Sequence, residues 1–128
     1  MIEAVILVLM IYLHIYDDFN KQGILATFKQ KEYWKENYPD ELYKNDYKIS
    51  LLMHSFSWAT SIMIIPVLYQ IYMNNYNFLL YILLFKINID CHAFIDNLKC
   101  NKKKISLMTD QILHLIQIIA TWFLIIIM

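Results

Sequence analysis

The sequence predicts an all-α protein, a four-transmembrane-helix bundle with a short interfacial helix in its first loop. Three observations carry that expectation. Of the 128 residues, 59% are apolar or aromatic, whereas a typical soluble domain runs at about 45–50%. One glycine and two prolines leave little to interrupt regular structure. Four long apolar runs lack the period-two alternation of strands and exceed strand length, and a bilayer offers an unpaired backbone no partner, so helices are the reading. The same figures exclude other classes. High hydrophobicity with a formal net charge of zero is the reverse of disorder, and a nucleic-acid binder would carry a basic excess. Cys91 and Cys100 are too few for a disulfide framework and lack C-x-x-C spacing, and Cys91 is read as packing. At this length the expectation is one membrane domain, residues 1–128.

The runs can be taken in order. Ile2–Tyr16 is short and must continue through Phe19 to span a hydrocarbon core about 30 Å thick. It is not a signal peptide, because Glu3 replaces a basic start and no small-x-small cleavage site follows. Gly23 is positioned to stop this helix. The loop 20–48 is long for a bundle connection; its tyrosines and Trp34 suit the headgroup level, a short surface helix is expected over Ile24–Glu36, and Pro39 ends it. The second span is Ile49–Met73, with a kink expected at Pro66. The third runs from Phe78 to about Asp96 and contains Lys86 and Asp90, four apart and able to neutralise each other. The fourth is Ile105–Met128.

Lysine placement orients the bundle. Six of the eleven lysines lie between Asp17 and Lys48, and four more are Lys99, Lys102, Lys103 and Lys104. The Asn74–Asn77 connection has none. Cytoplasmic loops are enriched in Lys and Arg, so loops 20–48 and 97–104 belong inside, with both termini outside and a bacterial inner membrane as the location. The Lys102–Lys104 run is read as an orientation signal and lipid contact.

Each predicted span carries one histidine: His14, His54, His92 and His114. Three have an aspartate four residues away, Asp18, Asp96 and Asp110, and positions four apart share a helix face. All four histidines fall near the cytoplasmic end of their helices. Polar residues extend the stripes in steps of four, three and four: Ser50, His54, Ser57, Ser61; His92, Asp96, Lys99, Lys103; Asp110, His114, Gln117, Thr121. These faces are expected to point inward, because lipid-facing polar groups are costly.

Imidazole and carboxylate ligands on facing helices suit a divalent metal, zinc foremost, with iron or manganese as alternatives. The expected ligands are His14, Asp18, His54, His92, Asp96, Asp110 and His114, more than one tetrahedral ion needs. Either two ions bind or some aspartates orient the histidines; Asp17 could replace Asp18 as ligand. A metal would activate water, with Asp18, Asp96 or Asp110 as catalytic base, in a hydrolase acting on a phosphoester or lipid-like substrate. Two other readings stay open: a non-enzymatic membrane protein, either a proton or ion pathway or a phage-encoded assembly that alters the host membrane, and interhelical hydrogen bonding alone. Expected partners are the bilayer, an anionic or lipid-like substrate and a second copy of the chain, with no nucleic acid.

The set His14-x-x-x-Asp18-Phe19, Gln22, Leu25-Ala26, Lys29, His54, His92-x-x-x-Asp96, Lys99 and Asp110-Gln111-x-x-His114 resembles the small bacterial and phage membrane proteins grouped as domain-of-unknown-function family 3307. The resemblance covers nearly the whole chain and departs in the tyrosine- and lysine-rich first loop. It implies a polytopic membrane protein of bacterial or phage origin and no particular activity. It adds Gln22, Lys29, Lys99 and Gln111 as site residues, the two lysines placed to hold an anionic group.

Overall fold

In a computed structural model of the chain, residues 1–127 are described, the last of them by its backbone alone. Six α-helices follow one another: α1 (Ile2–Tyr16), α2 (Leu25–Phe28), α3 (Lys31–Asn37), α4 (Asp46–Tyr72), α5 (Phe78–Cys100) and α6 (Leu107–Ile127). A π-helical turn, Asp17–Lys21, extends α1, and a 3₁₀ turn, Glu41–Tyr43, precedes α4. No strand occurs among the described residues. Met128, the expected end of the last span, lies outside them.

Three helical segments are long and apolar enough to cross a membrane: Glu41–Tyr72, Phe78–Cys100 and Leu107–Ile126. The expected fourth is not among them: α1 has 15 residues, about 22 Å at 1.5 Å per residue, and the π turn carries the helix on past Phe19 to Lys21 as expected, where Asp17, Asp18 and Lys21 make that stretch charged. The outward face of α1 is nevertheless apolar, exposing Val5, Val8, Tyr12 and Ile15. The same holds around the bundle: Leu52, Phe56 and Leu68 on α4, Leu79, Leu83 and Phe94 on α5, and Ile116 and Phe123 on α6 all face out. All four histidines, with Asp17, Asp96 and Asp110, are buried while many leucines and phenylalanines are exposed, as expected when the surrounding solvent is hydrocarbon.

α4 is the hub, packing against α5, α1 and α6. It runs unbroken through Pro66, and left-handed Asn74 (φ 57°) follows its end, as short polar residues tolerate. The Asn77 side chain then accepts from Leu80 N at 3.1 Å to start α5, so four residues turn the chain through the apolar end. Ile6, Met10, Ile62, Met63, Tyr81, Leu84, Ile118 and Ile125 fill that end. Gln70 Nε2 donates to Ile125 O at 2.6 Å, and Trp122 Nε1 donates to Glu3 O at 2.8 Å, tying α4 and α1 to α6.

The first loop departs from expectation in detail. Gly23 takes φ 50° and ends the π turn region as anticipated. The surface helix is two pieces, because Gln30 is extended (φ −91°, ψ 118°) and breaks the ladder between α2 and α3. An aromatic chain of Phe28, Tyr33, Trp34, Tyr38 and Tyr43 holds the pieces together with ring centroids 5.2–6.3 Å apart. Trp34 Nε1 donates to Phe28 O at 2.7 Å. The loop is pinned to the α5–α6 turn by Lys31 N donating to Asn101 Oδ1 at 2.7 Å and by Lys103 Nζ donating to Glu32 at 2.9 Å. The Lys103 ammonium holds the Glu32 carboxyl below its ordinary value, and Glu32 raises Lys103 in return. Helix ends also differ from expectation: α4 starts three residues earlier, at Asp46, and α5 continues to Cys100. Lys86 and Asp90 pair on the outer face at 2.6 Å, and Cys91, beside His92 in sequence, points outward with them.

Candidate metal centre

At the other end of the bundle the helices bury polar groups. The π turn matters first. Two successive carboxylates at its start are buried, Asp17, which continues the His14 face of α1, and Asp18, with side chains 2% and 5% exposed. Asp17 faces α4, where Ser57 Oγ donates to its Oδ1 at 2.9 Å and Ser61 Oγ at 3.0 Å. Asp17 Oδ2 lies 3.9 Å from His54 Nδ1. Asp18 lies on the opposite side of the His54 ring, its Oδ1 3.4 Å from His54 Nε2.

The imidazoles converge. His54 Nε2 and His92 Nε2 are 3.1 Å apart. Asp18 Oδ1 lies 3.9 Å from His92 Nε2, and Asp96 Oδ2 lies 3.4 Å from His54 Nε2 and 3.8 Å from His92 Nε2. On the far side of the Asp96 carboxylate, Oδ1 lies 3.5 Å from His114 Nε2, which is itself 3.6 Å from Asp110 Oδ1. Two overlapping triads result, Asp18/His54/His92 and His92/Asp96/His114, each with one donor atom per residue and all three within 4.8 Å of one another. Donors bound to one zinc at about 2.0–2.2 Å stand roughly 3.3–3.6 Å apart in a tetrahedron, so the observed spacings require only small inward movements. These groups could hold a metal ion, and neutral imidazole with carboxylate is a donor set that suits one.

Buried polar atoms are normally hydrogen-bonded. Here Asp18 Oδ1, Asp110 Oδ1, His92 Nδ1 and both ring nitrogens of His114 are buried without a partner. Gln22 Nε2 and His92 Nε2 both crowd His54 Nε2 at 3.1 Å, although one ring nitrogen has a single lone pair or a single proton to offer. A cation among these atoms would relieve both conditions.

Two ammonium groups enter the cluster. Lys29, at the end of α2 and 4% exposed, donates to Asp96 Oδ2. Lys99 Nζ donates to Asp110 Oδ2 at 2.9 Å. Gln111 Nε2 bridges Asp110 Oδ2 at 3.0 Å and Asp18 Oδ2 at 3.3 Å. Gln22, Lys99 and Gln111 are only half-buried and form the rim. Every residue expected at the site therefore lies in one contiguous cluster, but His14 stands behind the others. Trp58 Nε1 donates to His14 Nδ1 at 2.8 Å, which leaves the proton of a neutral His14 on Nε2. Trp58 also stacks on His92, with centroids 4.2 Å apart, and His92 stacks on His114 at the same separation.

Sequence reasoning missed three features: Asp17 as the group behind His54, Trp58 as the plate that fixes His14 and His92, and the buried Asn88. Asn88 receives Gln117 Nε2 at 2.9 Å and Thr121 Oγ1 at 3.1 Å. The polar stripe of α6 signalled half of that contact, and Asn88 sits four residues before His92 on the same face of α5. Comparison with family models, with curated proteins and with solved structures finds no match for this chain.

Proposed function

We propose that the chain is an integral membrane protein with a His/Asp divalent-metal centre at the cytoplasmic end of its bundle, acting as a metal-dependent hydrolase of a phosphoester or lipid-like substrate. The observation that carries this reading is the convergence of His54 Nε2, His92 Nε2, Asp18 Oδ1 and Asp96 Oδ2 at 3.1–3.9 Å, with further buried donors beside them unpartnered. A divalent ion there supplies Lewis-acid polarisation and an activated water. His54, His92 and His114 are the nitrogen ligands. Asp18, Asp96 and Asp110 act as ligands or as the base, and Asp17 orients His54 from behind. Lys29 and Lys99, with Gln22 and Gln111 at the rim, receive the anionic part of the substrate. Loops 20–48 and 97–104 face the cytoplasm in this reading, α1 completes the bundle as a fourth, short crossing, and the kinship with bacterial and phage membrane proteins belongs to the same proposal.

The test is elemental analysis of untagged protein purified in detergent after metal-supplemented expression, together with hydrolysis of a chromogenic phosphomonoester and a short-chain phospholipid. At least one zinc, iron or manganese per chain, lost in His92→Ala, supports the proposal. Less than about 0.1 ion per chain removes it, since the ligand set binds as neutral imidazole and carboxylate near neutral pH. The Lys29–Asp96 and Lys99–Asp110 bonds favour a second reading, a closed charge network serving as a proton or ion pathway without catalysis. Proton flux into liposomes that disappears in Asp110→Asn would support it, and wild-type protein without flux would end it.

A further inference from the structure

We infer that the centre is built for two divalent cations bridged by the Asp96 carboxylate, and that its substrate is therefore a phosphoester rather than a carboxylic ester. This rests on the metal reading above and adds the number of ions and the substrate class. The argument begins with the two faces of Asp96. Oδ2 turns toward His54 and His92, while Oδ1 turns toward His114. A carboxylate whose oxygens address two separate sets of ligand nitrogens has the disposition of a bridge, and paired catalytic ions stand about 3.5–4 Å apart.

The first position takes Asp18 Oδ1, His54 Nε2, His92 Nε2 and Asp96 Oδ2. The second takes Asp96 Oδ1, His114 Nε2 and Asp110 Oδ1, three protein donors that leave a coordination position open, as catalytic sites do. Independent support for the second position comes from its own atoms. His114 and Asp110 are each 0% exposed, yet His114 Nε2 and Asp110 Oδ1 have no hydrogen-bond partner. Both are outside the bonds that Lys29 and Lys99 make, because Lys99 holds the other oxygen of Asp110 and Lys29 the other oxygen of Asp96. Lys99 thus occupies the outer oxygen of Asp110, Lys29 shares Asp96 Oδ2 with the first position, and the two oxygens that face His114 carry neither lysine.

Charge points to the substrate. Asp17, Asp18, Asp96 and Asp110 bring four negative charges, and Lys21, Lys29 and Lys99 offset three of them. Two divalent cations would leave the centre strongly positive, so a dianionic phosphoryl group neutralises it where a neutral ester does not. Two ions held by these residues would also supply the paired charge that an in-line displacement at phosphorus uses.

Manganese is the probe. Untagged protein loaded with Mn²⁺ alone is freed of excess metal and read by elemental analysis and electron paramagnetic resonance. The expected result is two ions per chain with an exchange-coupled multiline signal. His114→Ala should retain one ion and show an uncoupled six-line signal. Should that variant fail to fold by circular dichroism and gel filtration, Asp110→Asn serves instead, with occupancy of the second ion falling at least tenfold at limiting Mn²⁺. Wild-type protein with a single uncoupled ion overturns the bridged pair and leaves the mononuclear reading standing. Protein with no ion overturns both, and two ions retained in a folded His114→Ala chain overturns the assignment of the second position.

Discussion

Toward the Asn74–Asn77 connection the bundle buries Ile6, Met10, Ile62, Leu84, Ile118 and Ile125, whereas toward the lysine-bearing turns the same four helices bury His14, His54, His92, Asp96, Asp110 and His114. The apolar half is held by shape, and a methyl group lost there leaves a small void that neighbours partly refill. The polar half is held by directed bonds among charged groups, where removing one partner strands another in low dielectric. Identical helices therefore fail in two different ways. One half should tolerate many sequences of similar volume, and the other very few.

The largest contrast comes from Asp96→Ala. It removes a ligand and leaves the buried Lys29 ammonium without its partner, so about 3–5 kcal/mol of stability should go along with the metal. Lys29→Ala added to it should return part of that stability and none of the metal. Thermal denaturation beside elemental analysis reads both, and a double variant no more stable than Asp96→Ala would break the ion-pair account. Ile62→Ala should cost roughly 2–5 kcal/mol while leaving metal occupancy unchanged. Lost occupancy there would mean that the two halves are not separable.

Ser57→Ala with Ser61→Ala tests the layer between. It frees Asp17 and should weaken Mn²⁺ affinity about 10–100-fold with only a modest change in melting temperature; unchanged affinity would reduce Asp17 to a structural role. The smallest effect is expected at the rim of the first loop. Glu32 is held low and Lys103 high, so their pair persists above the carboxylate's titration and below the ammonium's. Its contribution fades only in acid, as Glu32 protonates, or in strong alkali, as Lys103 deprotonates. Both side chains are exposed, and Lys103→Ala should leave the melting temperature unmoved near neutral pH.

The long apolar runs and the His/Asp spacing of four were legible because both are one-dimensional patterns that a helix maps directly onto a face. That mapping brought His54, His92, Asp96, Asp110 and His114 to one level. What escaped depends on contacts between distant segments or on departures from the regular helix. Lys29 is expected at the site only through the family resemblance, and its bond to Asp96 is not, because it forms only when α2 folds back against α4. Trp58 reads as bulk until its indole nitrogen meets His14, 44 residues away. Asp17 continues the buried face of α1, three residues after His14 and seven after Met10, but its partners Ser57 and Ser61 lie 40 and 44 residues away on α4. The first helix runs on past Phe19 as expected, but hydrophobicity alone carries no signal that its winding changes at Asp17.

That π turn has an evolutionary consequence. A turn of Asp17–Lys21 wound wider than an α-helix is a stored insertion. Deleting one residue such as Asn20 would let the segment relax to ordinary winding, keeping every ligand in the gene while the residues on either side of the turn, Gln22 among them, keep their facing. The site is thus guarded against a class of change that substitution scanning does not sample, and a single-codon deletion series through residues 17–21 would measure how much of the centre is chemistry and how much is register.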